Sequence, residues 1–172
     1  MERACKYVRE TRCFKTARVF PSDVNNHNTL FGGRLMSYID DIASIAAAKL
    51  CRGNTVTAST DSVDFLYPIT PSDSVMLEAF VTWTGRSSME IFVKIVRENL
   101  KTGDKVIAAT AFLTFVAMDE NNQKLLVPEV IPETEEEIKL HQTAPARAEQ
   151  RRHRRQASRE LAAFLTTEYP WE

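Results

Sequence analysis

The feature that most constrains this chain is a single amphipathic helical stretch followed by a series of strand-like runs. From Arg34 to Leu50, apolar residues recur at three- and four-residue steps. Leu35, Ile39, Ile42 and Ala46 set the rhythm, with Met36, Ala43, Ala47 and Leu50 alongside. Cys51-Arg52-Gly53-Asn54 supplies the stop, with Gly53 expected as a left-handed cap. Residues 5–20 are rich in β-branched and aromatic types and partly alternate, which predicts one extended strand. After the helix come four strand-like runs, 55–67, 75–84, 87–99 and 105–118. Their breaks carry turn chemistry: Pro68-Ile69-Thr70-Pro71-Ser72-Asp73, then Gly85-Arg86, then Lys101-Thr102-Gly103-Asp104. One strand, one long helix and four closely linked strands imply an antiparallel sheet wrapped on a single helix, an α+β fold.

The 172 residues, 44% of them hydrophobic, suffice for one such domain plus an appendage. After Pro128 the character changes. Residues 133–140 are acidic and start a helix; 144–164 are rich in Ala and Arg, with Arg147, Arg151, Arg152, Arg154, Arg155 and Arg159. The expected division is a domain over 1–130 and a charged helical C-terminal tail over 131–172. With a net charge of −1, any charge-based function must come from local clustering. A run of about 18 apolar residues is missing, so no membrane association is expected. Met1-Glu2-Arg3-Ala4-Cys5-Lys6 has no apolar core of a signal peptide. Cys5, Cys13 and Cys51 are odd in number and lack Cys-x-x-Cys spacing. Isolated thiols point to a reducing compartment rather than to disulfides or zinc, so the expectation is a cytoplasmic protein with no metal.

Two aspartates sit in the helix. At 100° per residue Asp41 falls with Arg34, Ser37 and Ala48, on the solvent side. Asp40 lies at the edge of the apolar arc, in line with Met36 and Ala43. It either reaches water from that boundary, as most mid-helix aspartates do, or is partly desolvated and able to act as base or nucleophile. The wheel leaves both open. Ahead of the helix, Pro21 and the polar run 22–28 form a loop, and Thr29-Leu30-Phe31-Gly32-Gly33 leads into the helix N-terminus. Free backbone N–H groups there favour negative charge, and glycines let a substrate come close. That combination suits an oxyanion hole, although a Gly-Gly pair is more often a plain turn. His27 is a lone loop histidine, a type usually just solvated. No Gly-x-Ser-x-Gly is present, which disfavours a serine hydrolase.

Asp23-Val24-Asn25, Phe31-Gly32-Gly33, Leu35-Met36 and Ile39-Asp40 together resemble the signature of acyl-CoA hydrolases of the hotdog superfamily. The resemblance is to bacterial acyl-CoA thioesterases and the vertebrate brain-type cytosolic acyl-CoA hydrolase. It continues through Val56-Thr57, Phe65-Leu66-Tyr67-Pro68, Gly85-Arg86-Ser87-Ser88, and Ala108, Thr110, Ala111 and Phe112, covering roughly residues 10–130 in order. The resemblance implies a hotdog fold, five antiparallel strands around one central helix. It also implies dimers joined sheet edge to sheet edge, active sites at the dimer interface, and a trimer of dimers. The catalytic pair it implies is Asn25 and Asp40, one from each partner, with Thr57 assisting.

The expected reaction is hydrolysis of acyl-CoA to fatty acid and CoA, with CoA as substrate and product and no cofactor. Asp40 would activate a water or attack directly to give a transient anhydride; these routes stay open. Asn25 would orient the water or the carbonyl, and the N–H groups of Gly32 and Gly33 would hold the oxyanion. Met36, Tyr38 and Phe65 are candidate liners of an acyl tunnel. Gly85, Arg86, Ser87 and Ser88 form either an ordinary β-turn or a grip for CoA phosphates or pantetheine. The run with Arg151, Arg152, Arg154 and Arg155 reads as a solvated helix face, a phosphate clamp or a nucleic-acid patch; with no aromatic interleaving the last is discounted. The competing readings are a non-catalytic acyl-CoA-binding module and an enoyl-thioester hydratase. Asp23-x-x-x-His27 superficially resembles the hydratase pair, but its spacing is wrong.

Overall fold

The computed structural model describes residues 3–169, so Met1 and Glu2 of the polar N-terminus and residues 170–172 lie outside it. The apolar arc of the central helix α1 (Gly32–Cys51) buries Leu35, Ile39, Ile42, Ala43, Ala46, Ala47 and Leu50. It packs against all five strands of one antiparallel sheet. These strands are β2 (Cys13–Arg18), β3 (Asn54–Phe65), β4 (Asp73–Thr84), β5 (Ser88–Asn99) and β6 (Lys105–Met118), in the order β2-β4-β5-β6-β3. This is the hotdog fold. The inner face of the sheet contributes Leu77, Ala79, Val81, Met89, Ile91, Val93 and Leu113, each at most 1% exposed. Truncating Leu35 to Ala in so dense a core would cost about 2–5 kcal/mol.

The N-terminal expectation of one strand is corrected. Residues 5–20 divide into β1 (Cys5–Tyr7), a 3-10 turn (Val8–Glu10) and β2, with β1 leaving the main sheet to pair in parallel with β7 (Glu129–Ile131). Val8 is fully buried and Thr11 donates its hydroxyl to the Val8 carbonyl at 2.8 Å. A side chain at the crossing point is buried and the backbone turns around it, which alternation alone does not report. The helix stop is also corrected. Arg52, with φ 52°, takes the left-handed conformation expected of Gly53, because the helix ends at Cys51 and the Arg52 N–H donates to Ala48. Met36 belongs to no core: it is 48% exposed.

A second helix, α2 (Glu135–Phe164), opens with a capping box in which Thr134 and Glu137 satisfy each other's backbone N–H. It runs through Pro145 and lies on the outer face of the sheet. Arg12 stacks over Phe80 at 4.2 Å and Arg147 over Phe112 at 4.3 Å, so cations close the aromatic cluster Phe80, Phe92 and Phe112. Beyond Arg151 every described residue of α2 is exposed. Among the described residues no helix is long and apolar enough to cross a membrane.

Candidate functional site

The loop before α1 is a small closed structure. Val24 bridges Leu30, and the Asn25 N–H donates to the Thr29 carbonyl at 2.9 Å. Asn25 Oδ1 accepts from the N–H of His27 at 2.9 Å and of Thr29 at 3.2 Å, and its Nδ2 donates to Thr29 Oγ1 at 3.0 Å. This turn carries Asn28 into a left-handed backbone (φ 58°), a conformation asparagine tolerates. The oxygen of Asn25 is therefore committed to the loop, while Nδ2 keeps a second proton to donate. Asp23 is 7% exposed. It anchors the loop by accepting from the Phe20 N–H and from Arg34 Nε at 3.0 Å. It orders the loop and reaches no catalytic partner. His27 is exposed, and among the described residues it engages the site through its backbone N–H alone.

Phe31 is the N-cap of α1, and no side chain caps this end; no acidic residue stands in the first turn. The first-turn N–H groups lack intrahelical partners by geometry, so donors of Gly32 and Gly33 are left for another acceptor. A Cβ on Gly33 would lie 2.6 Å from the Phe31 ring, so the ring lies across this backbone. Gly32 and Asn25 line one cavity of about 370 Å³ with Thr29, Leu35, Phe65 and Tyr67. Phe65 is among its lining residues and Met36 and Tyr38 are not; Tyr38 sits between Lys15 and Arg34. The strand run expected to reach Tyr67 ends at Phe65, and residues 65–69 turn to wall this cavity.

Asp40 lies on the same helix eight residues past Gly32, about 12 Å along the axis. It accepts from Thr57 Oγ1 at 2.9 Å, which joins two of the expected residues. Both are exposed in the single chain, so the desolvated form of Asp40 is absent from it. Asp40 is not among the residues that line the Asn25 cavity within one chain. Both stand beside β3, an edge strand of the sheet. Asp41 points away and pairs with Lys15.

The expected CoA grip is divided. Gly85, Ser88, Arg151, Arg152 and Arg155 line one cavity of about 250 Å³, whereas Arg86 and Ser87 line another of about 480 Å³ with Lys124. The turn is closed by Gly85 N–H donating to Ser88 at 2.9 Å, and a Cβ on Gly85 would meet Ser88 Oγ at 2.7 Å. Arg151 and Arg154 do not form a free cationic face. Arg151 bonds Asp61 at 3.1 Å and Glu90 at 3.3 Å, and Arg154 bonds Asp61. Arg152 pairs with Glu149, and among the described residues Arg155 is the one of the four without an ion pair. The acids that absorb these arginines, Asp61 and Glu90, read in the sequence as ordinary strand carboxylates.

Burial raises the Cys13 thiol from its usual range, against the opposing charge of Lys49. Among the described residues no cluster of His, Cys, Asp and Glu could hold a metal.

The family model of the Thioesterase superfamily matches residues 27–103. The uncharacterized acyl-CoA thioester hydrolase YkhA of Bacillus subtilis is 61% identical over 96% of each chain. A structure of an apo-hexameric acyl-CoA thioesterase superposes with TM-score 0.86 at 46% identity, covering 88% of this chain and 97% of that one. The acyl-CoA hydrolase of Staphylococcus aureus in complex with butyryl-CoA, CoA and CoA disulfide superposes with TM-score 0.89 at 43% identity, over 93% and 98% of the two chains. Forms of that enzyme with an aspartate, a threonine or an asparagine changed to alanine are similar too.

Proposed function

From the premise that the chain belongs to the thioesterase superfamily, among its acyl-CoA thioester hydrolases, we propose that Asp40, Thr57, Asn25 and the α1 N-terminus form its active site. The protein is an enzyme that hydrolyses acyl-CoA to a free acid and CoA. It self-associates, as its hexameric relatives do, into a trimer of dimers.

The observation that carries the site assignment is the placement of complementary halves on one edge. Asp40 with Thr57, and Asn25 with Gly32, flank β3, which ends among the exposed side chains of Phe65, Leu66 and Tyr67. Pairing β3 with its copy across a two-fold axis satisfies the open strand edge and covers this apolar surface. It brings Asp40 of one protomer toward the Asn25 cavity of the other and removes water from the carboxylate. Asp40 then activates a water, or attacks, while its orientation is held by Thr57. Asn25 Nδ2 and the Gly32 and Gly33 N–H groups donate to the carbonyl oxygen as charge develops there. The thiolate of CoA leaves. CoA is thus substrate and product, not a resident cofactor. Arg155, with Arg152 and Ser88, is left to meet its phosphates; Arg86 and Ser87 serve a separate surface. An aspartate, a threonine and an asparagine are also the three types replaced in the Staphylococcus aureus enzyme, which supports the choice. The cysteine pattern supports a cytoplasmic enzyme.

The test is release of free thiol from butyryl- and palmitoyl-CoA by the full chain. Steady turnover is expected, and binding without release would return the chain to the class of acyl-CoA sensors. Mixing Asn25→Ala with Asp40→Asn protomers restores about a quarter of wild-type turnover, because half of the mixed dimers' sites are intact. No recovery after subunit exchange would place each site within one chain.

A further inference from the structure

The two edge bulges of β3 and the charges behind them are unused by the mechanism above. Against β6, Thr57 faces Phe115 and Ser59 faces Thr114, so Ala58 is an extra residue. Thr60 faces Leu113 and Ser62 faces Phe112, so Asp61 is another. Two insertions within six positions aim Thr57 at α1 while turning Ser59 and Asp61 toward the outer face. Bulges on an edge strand increase local twist and disrupt the ladder, so contacts from outside the sheet help to fix their shape.

Asp61 receives such contacts. Its Oδ1 accepts from Ser59 Oγ at 2.6 Å and from Arg154, and its Oδ2 from Thr114 Oγ1 at 2.7 Å and Arg151 at 3.1 Å. Arg154 also donates to the backbone carbonyl of Asp61, the residue without a register partner in β6, at 2.9 Å. Arg151 is in turn fixed by Glu90, which is 1% exposed and also accepts from Arg147 and Thr82. A continuous set of contacts therefore runs from α2 through Asp61 and Ser59 to the bulge adjoining Thr57, and from Thr57 to Asp40.

We propose that Asp61, clamped by Arg151 and Arg154 of α2, is a positioning residue that sets the bulged register of β3 and thereby holds Thr57 against Asp40. This rests on the reading of Asp40 and Thr57 as catalytic. The C-terminal helix thus takes part in the site from the far side of the sheet.

The experiment is a double-mutant cycle on the full chain, with kcat and KM measured for butyryl-CoA. Asp61→Ala is expected to lower kcat about tenfold while KM stays within about twofold, the pattern of an interaction lost in the transition state. Thr57→Ala lowers kcat too, and adding Asp61→Ala to it lowers kcat no further than about twofold, because the two act through one contact. Asp61→Asn, which keeps the shape and two acceptor bonds, recovers part of the loss. It replaces Asp61→Ala in the cycle if that variant does not fold. Unchanged kcat in the Asp61 variants, or an equal loss with and without Thr57, overturns the proposal. Wild-type kcat in Thr57→Ala would instead remove the catalytic reading on which it stands, and the proposal with it.

Discussion

Carboxylates on the two faces of the sheet are treated in opposite ways. On the α1 side, Asp40 is exposed in the protomer and accepts one hydrogen bond among the described residues, from Thr57. On the α2 side, Glu90 is buried and Asp61 nearly so, and each is held by several donors. A charge that serves the fold has its lone pairs filled, since a buried carboxylate without partners costs several kcal/mol. A charge that serves chemistry must keep lone pairs free for the substrate and get its desolvation elsewhere, which the proposed β3-to-β3 dimer would supply at Asp40. Partner saturation and burial together separate the two settings.

The largest effect that can break this contrast is Asp40→Asn. Steady-state thiol release should fall by about 10²–10⁴-fold with Tm unchanged, since the variant keeps the shape and removes only the base. A matching fall in Tm would mean that Asp40 is structural after all. On the other face Glu90→Ala should do the reverse. Leaving Arg147 and Arg151 without their shared carboxylate is expected to cost about 3–5 kcal/mol in urea unfolding.

A smaller effect follows from Glu137 at the start of α2. Burial alone would raise its carboxyl, but the N–H groups of Glu133 and Thr134 and the Arg12 guanidinium outweigh it and lower it below the ordinary range. The unfolded chain therefore binds the proton more readily. The stability from Glu137 is fully present above about pH 4.3 and is lost as the pH falls through the lowered value. Acid titration of the fold should show this loss in the wild type and less of it in Glu137→Gln. Lys94 works in the other sense. Burial lowers its ammonium, Glu78 and Glu136 more than reverse this, and the resulting support fades only in strong alkali, as pH rises through the raised value. The smallest effect is expected at Asp41→Asn, which breaks only the exposed pair with Lys15: turnover within about twofold and stability within about 1 kcal/mol.

The candidate site was legible to different depths. Thr57 and Asp40 were named together by resemblance and meet across one hydrogen bond. Asn25 was named the same way, but its commitment of Oδ1 to the loop was invisible, because Asx turns depend on backbone direction rather than residue order. The arginine run was visible as a cluster, yet its division into neutralised and free charges was not. Arg151 and Arg155 look alike in the chain. One reaches Glu90 across 61 positions and the other does not.

By itself the sequence determined the α+β plan, because the three- and four-residue step of α1 and the strand runs after it have one compact solution: a sheet wrapped on a helix. It also marked the polar loop and the glycines at the helix start, since local turn chemistry is written locally. Only the tertiary structure decided where β1 leaves the sheet, which residue takes the left-handed cap, and which carboxylates have their charge spent. These depend on contacts between positions far apart in the chain, whose partners no local period can encode. The same reason sets the opposite environments of Asp40 and Asp61: both are aspartates in regular elements, and their neighbours in space leave one exposed and saturate the other.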